Sequence, residues 1–73
     1  MKTVNAFIER TKYGSFSVFV DLDDNTLNYG IHGLGKTAKE AIDDFVSAYE
    51  TMKEFHQKEN KSFVEAKFEY LYV

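Results

Sequence analysis

Thr37-Ala38-Lys39-Glu40-Ala41-Ile42-Asp43-Asp44-Phe45 is the stretch whose reading decides the fold. Thr37 and Glu40 stand at the spacing of a capping box, in which the hydroxyl takes one orphan N–H of the first helical turn and the carboxylate reaches back to another. Gly35, just ahead, lets the chain turn into the helix. From there Ala38, Ala41, Ile42, Phe45, Ala48, Tyr49, Met52 and Phe55 recur at helical spacing and make one apolar stripe, while Asp43, Asp44, Glu50, Lys53 and Glu54 fall mostly on the wet side. The pattern fades in the polar run His56-Gln57-Lys58-Glu59-Asn60-Lys61, where Asn60 is the expected stop. A long helix with a single stripe needs a flat apolar surface to lie on.

Strands on both sides supply that surface. Between Thr3 and Glu9, Val4, Ala6 and Ile8 point one way, and Thr3, Asn5, Phe7 and Glu9 the other. Lys12-Tyr13-Gly14-Ser15 reads as a turn in which Gly14 takes positive φ. A second alternation, Ser15 to Leu22, places Phe16, Val18, Val20 and Leu22 inward and Ser15, Ser17, Phe19 and Asp21 outward, so the two runs form a hairpin. After the turn cluster Asp23-Asp24-Asn25-Thr26, Leu27, Tyr29 and Ile31 share the inner face of a third strand. Gly30, Gly33 and Gly35 weaken that strand and point to a bulge or a bent exit. Past the helix, Val64, Ala66, Phe68, Tyr70 and Tyr72 alternate with Glu65, Lys67 and Glu69 as a fourth strand. The expected fold is α+β: an antiparallel sheet with one helix on one face, in β-β-β-α-β order, with residues 1–73 as a single domain.

Composition bounds what such a domain does. A chain of 73 residues buries about 60% of its unfolded surface, so its stability is marginal and usually needs a staple. There is no cysteine to form one, and the two histidines, His32 and His56, have no zinc-site spacing. Good packing by seven Phe and five Tyr, together with association, is what remains. Nine Lys plus Arg against twelve Asp plus Glu give a formal charge of -3, which argues against nucleic-acid binding by this domain and makes a small basic protein the natural partner. The start lacks the apolar core of a signal peptide, and no run reaches membrane-spanning length, so a cytoplasmic protein is expected. The chain stops at Leu71-Tyr72-Val73 inside a strand pattern, as a natural terminal strand or a cut between two domains would.

No catalytic constellation stands out. Asp21, Asp23 and Asn25 have the opening spacing of a calcium loop, but Thr26 stands where glycine is needed and His32 where a bidentate glutamate should close the site. Asp21 and Asp23 with Glu9 could be imagined as a two-metal nuclease cluster, but the aspartates are near-sequential residues at a turn that project apart. Gly33-Leu34-Gly35-Lys36-Thr37 resembles the end of a phosphate loop without its first glycine, and a capped helix explains both glycine and threonine. The expectation is a protein without catalytic residues, cofactor or metal. The face away from the helix carries Phe7 and Phe19, with Leu34 and Leu71, a candidate self-association patch, although scattered apolar residues are also ordinary on surfaces.

Two motifs add a resemblance. Gly14 to Val18 matches a G-x-x-S-V strand, and Gly35 to Ala41 a G-x-T-x-x-E-A helix start, in the order found in the HicB-like antitoxin family. The likeness extends from about Val4 to Tyr72. The chain departs from the family in having no proline, where members often carry a PDLPGC segment before the helix, and this places it in a divergent branch. The resemblance implies a degraded ribonuclease-H-like domain that neutralises a small mRNA-cleaving toxin (HicA-like) by covering its active site. It also implies a longer natural protein, whose C-terminal DNA-binding domain would autoregulate the operon. On this reading Asp21, Asp23, Asp24, Asp43, Asp44 and Glu50 are the candidate contacts to a basic toxin, and Phe7 and Phe19 anchor a homo-oligomer. The alternatives from other classes are a purely structural dimerisation domain of a transcriptional regulator and a divalent-metal nuclease.

Overall fold

The computed structural model describes residues 2–20 and 30–73. Strands β1 (Lys2–Arg10), β2 (Phe16–Val20) and β3 (His32–Gly35) precede helix α1 (Ala38–Lys58), and β4 (Ala66–Tyr72) follows it. They form one four-stranded sheet in the order β3-β2-β1-β4, with the helix on one face. The protein is α+β with the element order expected from the sequence.

The pairing is mixed rather than wholly antiparallel. β1 meets β2, and β2 meets β3, antiparallel, but β4 joins β1 in parallel, with Lys2 opposite Ala66 and Ile8 opposite Tyr72. The helix is the reason: a strand-helix-strand crossover returns the chain to the end from which it left, so β4 runs in the direction of β3 and hence of β1. The hairpin turn is as expected. Thr11 and Ser15 close it through the Thr11 N–H to the Ser15 carbonyl at 2.8 Å, and Gly14 takes φ 81°.

The third strand lies later than its apolar residues suggested. It runs through the glycines, and Ile31, though buried, precedes it. The expected strand residues Leu27 and Tyr29, like the turn Asp23-Asp24-Asn25-Thr26, lie outside the described residues. Gly33 is here for closeness, not for a bulge. A Cβ built on it would overlap the Ala41 carbonyl oxygen and stand 2.6 Å from the Phe45 nitrogen, so the helix backbone rests directly on this strand. On the far side of the sheet the gap is wider and aromatic rings fill it. Phe45, fully buried, meets Phe68 edge-on at 4.8 Å between centroids and Tyr70 at 6.1 Å, and Tyr49 meets Phe68 at 5.4 Å. Val4, Ala6, Ile8, Val18, Val20 and Ala66 complete the core from the sheet.

The helix ends are those the sequence marks. The Thr37 hydroxyl accepts from the Glu40 N–H at 3.1 Å and donates to the Glu40 carboxylate at 3.3 Å, so that carboxylate meets the hydroxyl and not the backbone N–H expected of a full capping box. At the other end Asn60 adopts φ 54°, Asn60 N–H reaches the Gln57 carbonyl, and Lys61 N–H the His56 carbonyl, the Schellman pattern. Phe55 departs from expectation. It keeps the phase of the stripe yet is 50% exposed, beside a groove with Ile31, Ala48 and Met52.

The close contact at Gly33 makes a firm prediction. Gly33→Ala must push the helix off β3 and should cost about 2 kcal/mol or more, the range of overpacked cores. Gly14→Ala strains only an exposed turn and should cost about 1 kcal/mol. Urea unfolding followed by circular dichroism compares the two, and equal stabilities for Gly33→Ala and the parent chain would refute the close packing.

Candidate protein-binding surface

Strand alternation and register place the aromatic candidates together. Phe7 lies opposite Phe19 on β2 and opposite Leu71 on β4, so the three form a row across the sheet on the face away from the helix. The Phe7 and Phe19 rings are 5.7 Å apart and tilted by 41°. Both are half-buried, Leu71 is 44% exposed, and His32 continues the row on β3. One row away Leu34, 56% exposed, stands opposite Ser17, which itself pairs with Glu9. The row is therefore an apolar strip with polar neighbours, Asn5 and Glu69 on one side and Glu9 and Ser17 on the other. An apolar centre with a polar rim is the ordinary anatomy of a protein interface.

The acidic candidates sit elsewhere. Asp21, Asp23 and Asp24 lie outside the described residues. Asp43 and Glu50, seven residues apart and exposed, share the outer face of α1, on the opposite side of the domain from Phe7 and Phe19. Glu40 and Glu54, read from the sequence as a cap residue and a wet-side residue and not as partner contacts, extend this face at helical spacing. Asp43 is paired with Lys39 at 2.9 Å, an exposed ion pair one helical turn apart that holds the Lys39 ammonium above its usual pKa.

Asp44 does a different job. Its carboxylate accepts a hydrogen bond from the Leu34 backbone N–H at 2.9 Å, tying the second turn of α1 to the outer edge of β3. A second tether joins the helix to the approach to β4, where Lys53 meets the Glu65 carboxylate at 2.6 Å. That contact holds the half-exposed Glu65 carboxyl below its usual pKa and Lys53 above its own. The cause in both cases is the hydrogen bond first and the opposite charge second.

Metal chemistry has less to stand on. Among the described residues no group of three or more His, Cys, Asp or Glu side chains could hold a metal ion. Glu9 is exposed on the open sheet face, and its proposed companions Asp21 and Asp23 lie outside the described residues. Neither histidine is in a ligand set: His32 is exposed, and the His56 Nδ1 lies 2.8 Å from the Met52 carbonyl oxygen. The groove beside Phe55 is bounded by Gly30 and Ile31 on its other side, and no site is assigned to it. Among the described residues no helix is long and apolar enough to cross a membrane. Comparison of the chain with family models, with curated proteins and with solved structures returns no match.

Two measurements check these assignments. Asp44→Ala should lower stability by about 1 kcal/mol by leaving the Leu34 N–H without its acceptor, whereas Asp43→Ala should leave stability unchanged. Glu65 is stabilised as a carboxylate only in the folded chain, so it favours folding above the ordinary carboxylate range and loses that contribution as pH falls through its lowered folded value. A carbon-detected NMR titration should find Glu65 titrating below the ordinary glutamate range, and Lys53→Met should return it to that range.

Proposed function

We propose that this chain is a protein-binding module of the antitoxin type, which neutralises a small, basic, mRNA-cleaving toxin. The observation that carries the reading is the apolar row Leu71–Phe7–Phe19, left uncovered by the described residues on a sheet whose other face is built into a core. A small domain with few apolar residues to spare keeps three of them in line on its open side. Such a strip, ringed by polar residues, suits a protein partner.

The outer face of α1 supplies the electrostatic half. Glu40, Asp43, Glu50 and Glu54 set against Lys39 make it acidic, which favours a basic partner and speeds encounter with one. The two motifs behind the resemblance to HicB-like antitoxins also fall at positions the fold depends on. Gly14 takes the positive φ of the hairpin turn, Val18 is fully buried, and Gly35, Thr37, Glu40 and Ala41 form the seat and cap of the helix. A second reading, a domain that only pairs copies of a transcriptional regulator, draws on the same open face, because Phe7 and Phe19 would serve self-association equally well.

Affinity capture of the tagged chain from its native host, with mass spectrometry of stoichiometric partners, separates the two readings. A small basic ribonuclease should co-purify, Phe7→Ser with Phe19→Ser should release it without unfolding the chain, and Asp43→Lys with Glu50→Lys should slow association and flatten its salt dependence. Recovery of the chain's own copies alone would count against the antitoxin reading and for the dimerisation domain.

A further inference from the structure

The two edges of the sheet are finished differently. β3 is four residues long, and the backbone N–H of Leu34, which points away from β2, is already taken by Asp44. At the other edge β4 runs for seven residues without proline or glycine, and its only neighbour among the described strands is β1. Lys2 N–H donates to the Glu65 carbonyl and Val73 N–H to the Ile8 carbonyl. In a parallel ladder the N–H and C=O of one residue point the same way, so the odd-numbered residues of β4 face β1. Ala66, Phe68, Tyr70 and Tyr72 therefore aim their backbone groups out along the free edge. Ala66 N–H donates to the Tyr49 hydroxyl at 3.3 Å, and no described residue hydrogen-bonds the N–H groups of the other three. An edge this long, with neither a covering element nor a proline, is a template for another strand.

The side chains say which strand fits. When two copies of a strand pair antiparallel about a two-fold axis and keep their helices on one side of the joined sheet, the axis passes through one residue of each copy. Residues equally spaced on either side of that point then face each other. On the open face β4 carries Lys67, Glu69 and Leu71, while the Glu65 carboxylate just ahead of it is held by Lys53 of the helix. An axis at Lys67 sets Lys67 against itself. An axis at Glu69 sets Glu69 against itself, and one at Tyr70 sets it against Leu71. An axis at Ala66 sets Lys67 against Glu65, which Lys53 already holds, and needs the Ala66 N–H that goes to Tyr49. With the axis at Phe68, Lys67 faces Glu69 twice.

We propose that two copies of this chain pair through their β4 edges, antiparallel about Phe68, into one continuous sheet. Phe68 then exchanges both backbone hydrogen bonds with its counterpart. Tyr70 N–H donates to the Ala66 carbonyl of the second copy, and Ala66 N–H keeps its bond to Tyr49. Lys67 and Glu69 form the non-hydrogen-bonded pairs, in which side chains stand closest, and neither belongs to an ion pair within one copy among the described residues. On the helix side Phe68 packs on its counterpart, and Tyr72, 72% exposed in a single copy, gains Val64 opposite it. The row Leu71–Phe7–Phe19 is not consumed, so this pairing does not rest on the antitoxin reading.

The register is tested by charge exchange in the full chain, with sedimentation velocity across a concentration series and circular dichroism to check folding. The parent chain should dimerise. Lys67→Glu alone, or Glu69→Lys alone, turns both attractive pairs repulsive and should weaken the homodimer roughly ten-fold or more. An equimolar mixture of these two variants restores opposite charges across the edge and should form a heterodimer, and the double variant should recover the parent's affinity. A parent chain that stays monomeric overturns the proposal. So does a dimer indifferent to these exchanges, which would place the contact on another surface such as the Phe7 and Phe19 face.

Discussion

Everything in this fold is hung from the place where α1 touches β3 without a side chain between them. At Gly33 the helix backbone at Ala41 and Phe45 sits where any Cβ would be, and Gly35 repeats the arrangement at the first turn. This contact sets the height of the helix at one edge of the sheet. The opposite edge must then fill a wedge, and it does so with large rings: Phe45 against Phe68 and Tyr70, and Tyr49 against Phe68 and Phe63. Five of the twelve Phe and Tyr in this 73-residue chain thus have a geometric use. Small residues close one side of the core, and aromatic ones span the other.

Much of this was legible in the residues, and the failures have physical causes. Alternation marked β1, β2 and β4 because their two faces meet different surroundings. Thr37, Glu40 and Asn60 marked the helix because each end leaves backbone groups that only certain side chains or backbone angles satisfy. Ile31 was read into the third strand, which begins at His32, because that strand's inner positions are glycines, chosen for the absence of a side chain, and an absent side chain leaves no alternation to read. The parallel pairing of β4 escaped for another reason: alternation tells which face a residue takes, not which way its strand runs. Phe55 shows that periodicity gives the phase of a helix but not how far along it the sheet provides cover.

The candidate surface was legible to about the same depth. Phe7 and Phe19 were placed together by alternation alone, and the register adds Leu71 to them. Among the acids, sequence could not separate Asp44, whose carboxylate turns back to a backbone N–H, from Asp43 and Glu50, which face solvent. The two kinds of candidate lie on opposite sides of the domain, so a partner steered by the helix and a partner seated on the sheet need not compete for one surface.

The parallel ladder between β1 and β4 has a consequence for how the chain comes to be. It joins residue 2 to residue 66, so a central strand waits on the ribosome for a neighbour made more than sixty residues later. Until that neighbour emerges, Val4, Ala6 and Ile8 can pair with β2, but the surface they share with Phe68 and Ala66 stays open to water. Closing so long a loop carries an entropic cost that local contacts do not repay, which slows folding relative to a helical domain of equal size. Nascent chains of this protein therefore pass through an interval with a formed hairpin and an unshielded inner face, when a chaperone or a neighbouring nascent copy can bind what the finished domain conceals.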